Sequence, residues 1–163
     1  MKLILCLVVI IISTKECDKN KLQTMDDSKT ELTAEPSDMR LQDSKKITYR
    51  AATRGFFLKI WIEGDSISIT EDYNLKDIST YKLPQEEKEA LFALVDAIDE
   101  TTLPSIEPPS TTFQYDAAAI ATLEVSKGDE VYKTQAFDHG KPPKTITEVV
   151  DKILSIKAIV EKQ

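Results

Sequence analysis

The sequence predicts an α+β domain: an antiparallel sheet of about six strands with two helices packed on one face, in the order β-β-β-β-α-β-β-α. Three observations carry that reading. The stretch FFLKIWIEGDSISI, residues 56–69, is two apolar-alternating runs meeting at Glu63-Gly64-Asp65, the pattern of a β-hairpin. Leu91, Leu94, Val95 and Ile98 make one helical stripe, and Ile146, Val149, Val150, Ile153, Lys157 and Val160 make a second, with Ile156 beside it. No glycine-rich strand-to-helix turn and no repeated βαβ unit occurs, so a parallel sheet is not indicated.

Taken in order, the chain begins with a basic Met1-Lys2 and an unbroken apolar run over residues 3–12, LILCLVVIII. That run is shorter than the about 20 apolar residues of a transmembrane helix and fits the core of a signal peptide. It predicts export, with residues 1–16 as the signal. Three fates follow: cleavage after Ser13, retention as an uncleaved anchor, or lipidation at Cys17. The layout around Cys17 resembles a bacterial lipoprotein signal, although Thr14, Lys15 and Glu16 stand where Leu-like and small residues are usual. The other cysteine, Cys6, falls in the apolar run, so a chain beginning at Cys17 forms no internal disulfide. Residues 17–44 are dominated by Lys, Asp, Glu, Ser, Thr and Gln and read as a polar tether.

Residues 45–163 make the single domain. Ile47, Tyr49 and Ala51 alternate with polar residues in a first strand ending near Thr53-Arg54-Gly55. In the hairpin, Phe56, Leu58, Ile60 and Ile62 share one face and are expected to enter the core. Phe57, Lys59 and Trp61 share the other. A shorter strand follows at 77–83, offering Ile78, Thr80 or Tyr81 and Leu83 for packing. Pro84 then opens a helix reaching about Glu100, with Gln85, Glu86 and Glu87 in its first turn. Pro104, Pro108 and Pro109 make the next segment a long connection. Residues 117–126 read as a strand with Ala119, Ala121, Leu123 and Val125 on one face, 127–129 as a turn, and 130–137 as the returning strand. Thr145-Ile146-Thr147-Glu148 matches a capping box at the start of the last helix.

This arrangement over residues 46–156, an early apolar hairpin, a mid-chain helix, a second hairpin and a terminal helix, resembles small envelope lipoprotein domains of the Bacteroidota type. Many of those domains carry a cysteine-bearing loop where this chain has Ala51-Ala52-Thr53-Arg54-Gly55. The resemblance implies an envelope location and an α+β fold; it supplies no catalytic residues.

Composition narrows the function. Hydrophobic residues at 41% and charged residues at 30% suit a globular body, and a net charge of −7 argues against nucleic-acid binding. No phosphate loop, dinucleotide fingerprint or cofactor box is present, and no G-x-S-x-G elbow surrounds Ser66, Ser68 or Ser79. The single histidine, His139, stands beside Asp138, and Asp116 is a third group for a metal or hydrolytic site. Asp138-His139-Gly140-Lys141-Pro142-Pro143 also reads as the end of a strand turning into a helix. The favoured expectation is a non-enzymatic, exported binding domain without a cofactor. It contacts an envelope protein, peptide or glycan through Phe57 and Trp61, with the membrane reached through a lipid anchor. The alternatives are a metal-binding protein or hydrolase using Asp116, Asp138 and His139, and an inhibitor of a secreted hydrolase acting through the proline-rich loop.

Overall fold

The structure is a computed structural model and describes residues 45–163. The expected signal, the tether and Cys17 lie outside the described residues. Within them the domain is α+β, with an antiparallel sheet covered by two helices. Strands β1 (Lys46–Thr53), β2 (Phe56–Glu63), β3 (Ser66–Thr70) and β4 (Ser79–Lys82) precede helix α1 (Gln85–Asp96). Strands β5 (Ile120–Lys127), β6 (Glu130–Lys133) and β7 (Phe137–Asp138) precede helix α2 (Thr147–Val160). The sheet order is β4-β3-β2-β1-β5-β6, and β7 also pairs with β5.

Register fixes which side chains share a face, because directly opposed residues point the same way. Val125, Ile47, Ile62 and Ile67 form one row, and Leu123, Tyr49, Ile60 and Ile69 form the next. Ala121, Ala51 and Leu58 continue the same face. All are buried in one core with Leu91 and Val95 of α1 and Val149, Val150, Ile153, Ile156 and Val160 of α2. Both helices therefore cover the same side of the sheet; the other side carries no helix and is open around Trp61, while Phe57, Ser68, Thr70 and Asp138 on it are buried. Lys152 Nζ meets Glu87 Oε2 at 2.7 Å, joining α2 to α1.

Several local expectations change. The sheet has seven strands because the returning strand of the second hairpin breaks in two. Between the Leu123–Thr134 contact and the Ala121–Phe137 pair, β5 has one residue, Thr122, and the partner chain segment has two, Gln135 and Ala136. This is a β-bulge, and Thr134 stabilises it twice. Its N–H donates to Leu123 O at 2.9 Å and its hydroxyl accepts from Leu123 N at 3.1 Å. Helix α1 stops at Asp96 rather than near Glu100, because Asp99 caps a separate 3₁₀ turn, Glu100–Ser105, accepting from Thr101 N at 3.1 Å. The capping box at Thr145 and Glu148 is not made. A 3₁₀ turn, Lys144–Ile146, leads into α2 instead, and the Thr147 hydroxyl donates to Pro143 O at 3.0 Å.

The two phenylalanines at the start of β2 exchange their expected burial. Phe56 is on the helix side, yet at the hairpin end it is 38% exposed and stacks on His139, with ring centroids 5.5 Å apart. Phe57 is on the open side, yet only 9% exposed. The segment after β3 folds back and sets Tyr73 edge-on against its ring at 5.3 Å, while Arg50 lies over it at 5.3 Å. Alternation assigns a side chain to a face; a distant loop decides whether that face stays wet.

Candidate functional site

Two places deserve comparison: the corner holding Asp116, Asp138 and His139, and the open sheet face holding Trp61. At the corner, the bulge aims β7. Phe137 enters the core opposite Ala121, Asp138 turns to the open side opposite Ile120, and His139 returns to the helix side. Asp138 is 1% exposed. One of its oxygens accepts from the Ser110 hydroxyl, from Thr112 N at 3.1 Å and from Thr112 Oγ1 at 2.6 Å; the other accepts from Phe113 N at 2.8 Å. Loss of water pushes this carboxyl up, but the four donors outweigh that and hold it well below the usual carboxylate range. Asp138 is thus a charged clamp fastening the proline-rich loop to the sheet.

His139 faces a different set of neighbours. Its Nδ1 is 2.6 Å from the hydroxyl of Tyr49, a side chain with no exposure at all. Burial pushes the Tyr49 hydroxyl up and His139 down from its ordinary 6.5, so both are neutral at pH 7 and share one proton between oxygen and nitrogen. Asp116 is exposed, at φ 56°, ending the 3₁₀ turn Thr112–Tyr115. The three residues expected to act together have three separate surroundings. Asp138 and His139 stand back to back, so Ser110, Asp138 and His139 do not line up as nucleophile, base and orienting acid. Among the described residues, no three His, Cys, Asp or Glu side chains are placed to hold one metal ion.

The open face has a different character. Along one row stand Thr80, Ser68, Trp61, Thr48, Glu124 and Lys133, each opposite the next. The adjacent row holds Thr70, Lys59, Arg50 and Thr122. Arg50 and Lys59 are therefore like charges directly opposed on neighbouring strands, an arrangement that costs stability. Neither is relieved by a carboxylate: among the described residues, the ion pairs within 4.0 Å do not include Arg50, Lys59 or Lys133. The two cations rest on aromatic rings instead. Arg50 lies over Phe57, and Lys59 Nζ is 5.2 Å from the centroid of Trp61. A concavity of about 190 Å³ opens between Lys46, Arg50, Lys59, Lys133, the carboxylate of Glu124 and the hydroxyls of Thr48 and Thr122.

Of the two residues expected to make contact, Trp61 is half-buried at the centre of this face, and Phe57 is a support beneath Arg50 and Tyr73. The residues that sequence reasoning left out are Arg50, Lys133 and Tyr73. Arg50 was within reach, since it follows Tyr49 by one step and must face away from the core. Tyr73 and Lys133 depend on a loop and a pairing that no local pattern encodes.

No known family model matches the chain, and no curated protein matches it. Among the described residues, no helix is long and apolar enough to cross a membrane.

Proposed function

We propose that this domain is the non-enzymatic binding module of an exported cell-envelope protein. A lipid on Cys17 holds it at a membrane, and the open face of its sheet meets the partner. The observation that supports this reading most is the opposed pair Arg50 and Lys59, unpaired beside Trp61. A like-charge pair kept on an exposed sheet face lowers stability, and a ligand that neutralises it offsets the cost. The helix side is spent on the core, and the corner around Asp138 is spent on holding a loop. The open face is the surface whose chemistry is not consumed by folding.

Sedimentation with purified envelope fragments tests the reading. The wild-type domain is expected in the pellet, and a folded Lys59→Glu/Trp61→Ala variant in the supernatant. Equal sedimentation of both proteins contradicts it. Mass spectrometry of the mature N-terminus tests the address: a diacylglyceryl group on Cys17 supports lipidation, and a free N-terminus at Thr14 refutes it.

A second reading has an observation of its own. The loop pinned by Asp138 presents Tyr115 at 82% exposure, a rigid display of the kind that suits an inhibitor of a secreted hydrolase. Tyr115→Ala is the variant that separates it from the sheet-face reading, because it leaves Arg50, Lys59 and Trp61 untouched.

A further inference from the structure

The charge on the open face is opposite to that of the molecule. The chain carries 28 acidic and 21 basic residues. Register nevertheless places Lys46, Arg50, Lys59, Lys82 and Lys133 on this one face, against Glu63 and Glu124. Asp138 also turns to this side, but its own loop covers it. Lys46 reaches Glu63 at 3.5 Å, and Glu124 stands opposite Lys133, so Arg50, Lys59 and Lys133 outnumber the one carboxylate left in the concavity.

The neighbours of these cations say what kind of anion fits. Thr48 and Thr122 line the concavity with their hydroxyls. Hydroxyls that both donate and accept suit a polyol. The cations are spread over neighbouring strands, which lie about 4.8 Å apart. That spacing suits a chain with one charge per sugar. Trp61 adds a flat apolar body beside Lys59 against which a sugar ring can lie. At about 190 Å³ the concavity is smaller than a pocket for a whole drug-sized ligand, so it fits one segment of a longer polymer.

We propose that the open sheet face binds an acidic polysaccharide of the polyuronate class. Arg50 and Lys59 take the carboxylates of successive sugars, Thr48 and Thr122 meet their hydroxyls, and Trp61 packs on a ring. The inference rests on the sheet-face reading above and names its ligand.

Trp61 is the chain's one tryptophan, so its emission reports on the site without labelling. The full chain is titrated with hexagalacturonate, with the same oligomer fully methyl-esterified, and with a single-stranded DNA oligonucleotide. A saturable change in Trp61 emission with hexagalacturonate is expected, weakening as salt is added. The ester is expected to bind about tenfold more weakly or worse, because it keeps the shape and loses the charge. A folded Arg50→Ala/Lys59→Ala variant should lose binding by a similar factor. Equal binding of the ester, equal binding by the variant, or tighter binding of the DNA overturns the proposal. Absence of any hexagalacturonate response also overturns it. If Lys59→Glu/Trp61→Ala still abolishes envelope sedimentation in that case, the sheet-face reading stands and only the ligand class has failed. If sedimentation is unaffected as well, both have failed.

Discussion

On the helix side of the sheet, Leu123, Tyr49 and Ile60 stand in one row and are sealed from water. One residue along the same strands, Thr122, Arg50 and Lys59 stand in the next row and face out. The two rows share backbone, hydrogen bonds and register. They differ only in parity, and parity divides the labour: the first row holds the fold together, and the second carries charge. Strand alternation thus lets adjacent residues answer to different demands, stability at Ile60 and, in the function proposed above, recognition at Lys59.

Substitutions at those two neighbours should break the comparison most sharply if it is wrong. Ile60→Asp places an unpaired carboxylate in the core and is expected to abolish folding, seen as loss of cooperative thermal unfolding by circular dichroism. Ile60→Ala, a milder version, is expected to cost about 3 kcal/mol in urea unfolding. Lys59→Glu, one position away, turns the like-charge pair with Arg50 into an opposite-charge pair. Its stability should be unchanged or raised by up to about 0.5 kcal/mol, while envelope binding is lost. A large destabilisation by Lys59→Glu would show that the outer row is structural after all.

Asp138 sharpens the comparison at the end of the sheet, where the open side is covered. Asp138→Ala leaves Ser110, Thr112 and Phe113 without their acceptor, and a fall in melting temperature of roughly 10 °C is expected. Limited proteolysis should then cut within the loop near Tyr115. Because its folded carboxyl is held below the ordinary 3.8, Asp138 stabilises the fold fully above that value. The contribution disappears as pH falls from there toward the folded value, so the wild type should lose its stability advantage over Asp138→Ala in acid.

His139 gives a smaller effect in a different pH window. Its folded value lies below 6.5, so the unfolded chain binds more protons once pH drops under 6.5. Stability is therefore greatest above 6.5 and declines as pH falls toward the folded value. Differential scanning calorimetry between about pH 7.5 and about pH 5.5 should show a modest fall that His139→Gln flattens. Tyr49→Phe removes the hydroxyl facing Nδ1 and should cost about 1–2 kcal/mol. Lys152→Ala removes the Glu87 contact between the helices, leaves the buried Glu87 Oε2 without a partner, and should cost about 1–3 kcal/mol.

Much of the fold was legible because it rests on periodicity. Ile47, Tyr49 and Ala51, the hairpin 56–69, and the stripes through Leu91 and Ile153 all declared themselves by spacing, and the α+β class followed. What stayed hidden depends on partners distant in sequence. Phe57 looked exposed because its cover, Tyr73, arrives from a loop with no periodic signal. The returning strand looked continuous because the bulge at Gln135 and Ala136 is set by the Thr134 hydroxyl bonding across to Leu123. The capping box at Thr145 matched in sequence, but the 3₁₀ turn after Pro143 gives the backbone another route into α2. Of the candidate site, Trp61 and its facing were readable from alternation. The opposition of Arg50 and Lys59 was not, since it requires knowing that β1 pairs with β2 in this register.

The central claim is that the open face, and not the helix layer, meets the envelope partner. Lysine acetylation footprinting by mass spectrometry, with and without purified envelope fragments, tests it directly. Lys59 and Lys133 should be protected when envelope is present, while the exposed Lys144 and Lys162, flanking α2, should react at unchanged rates. Protection of Lys144 and Lys162 with Lys59 and Lys133 unaffected would contradict the account.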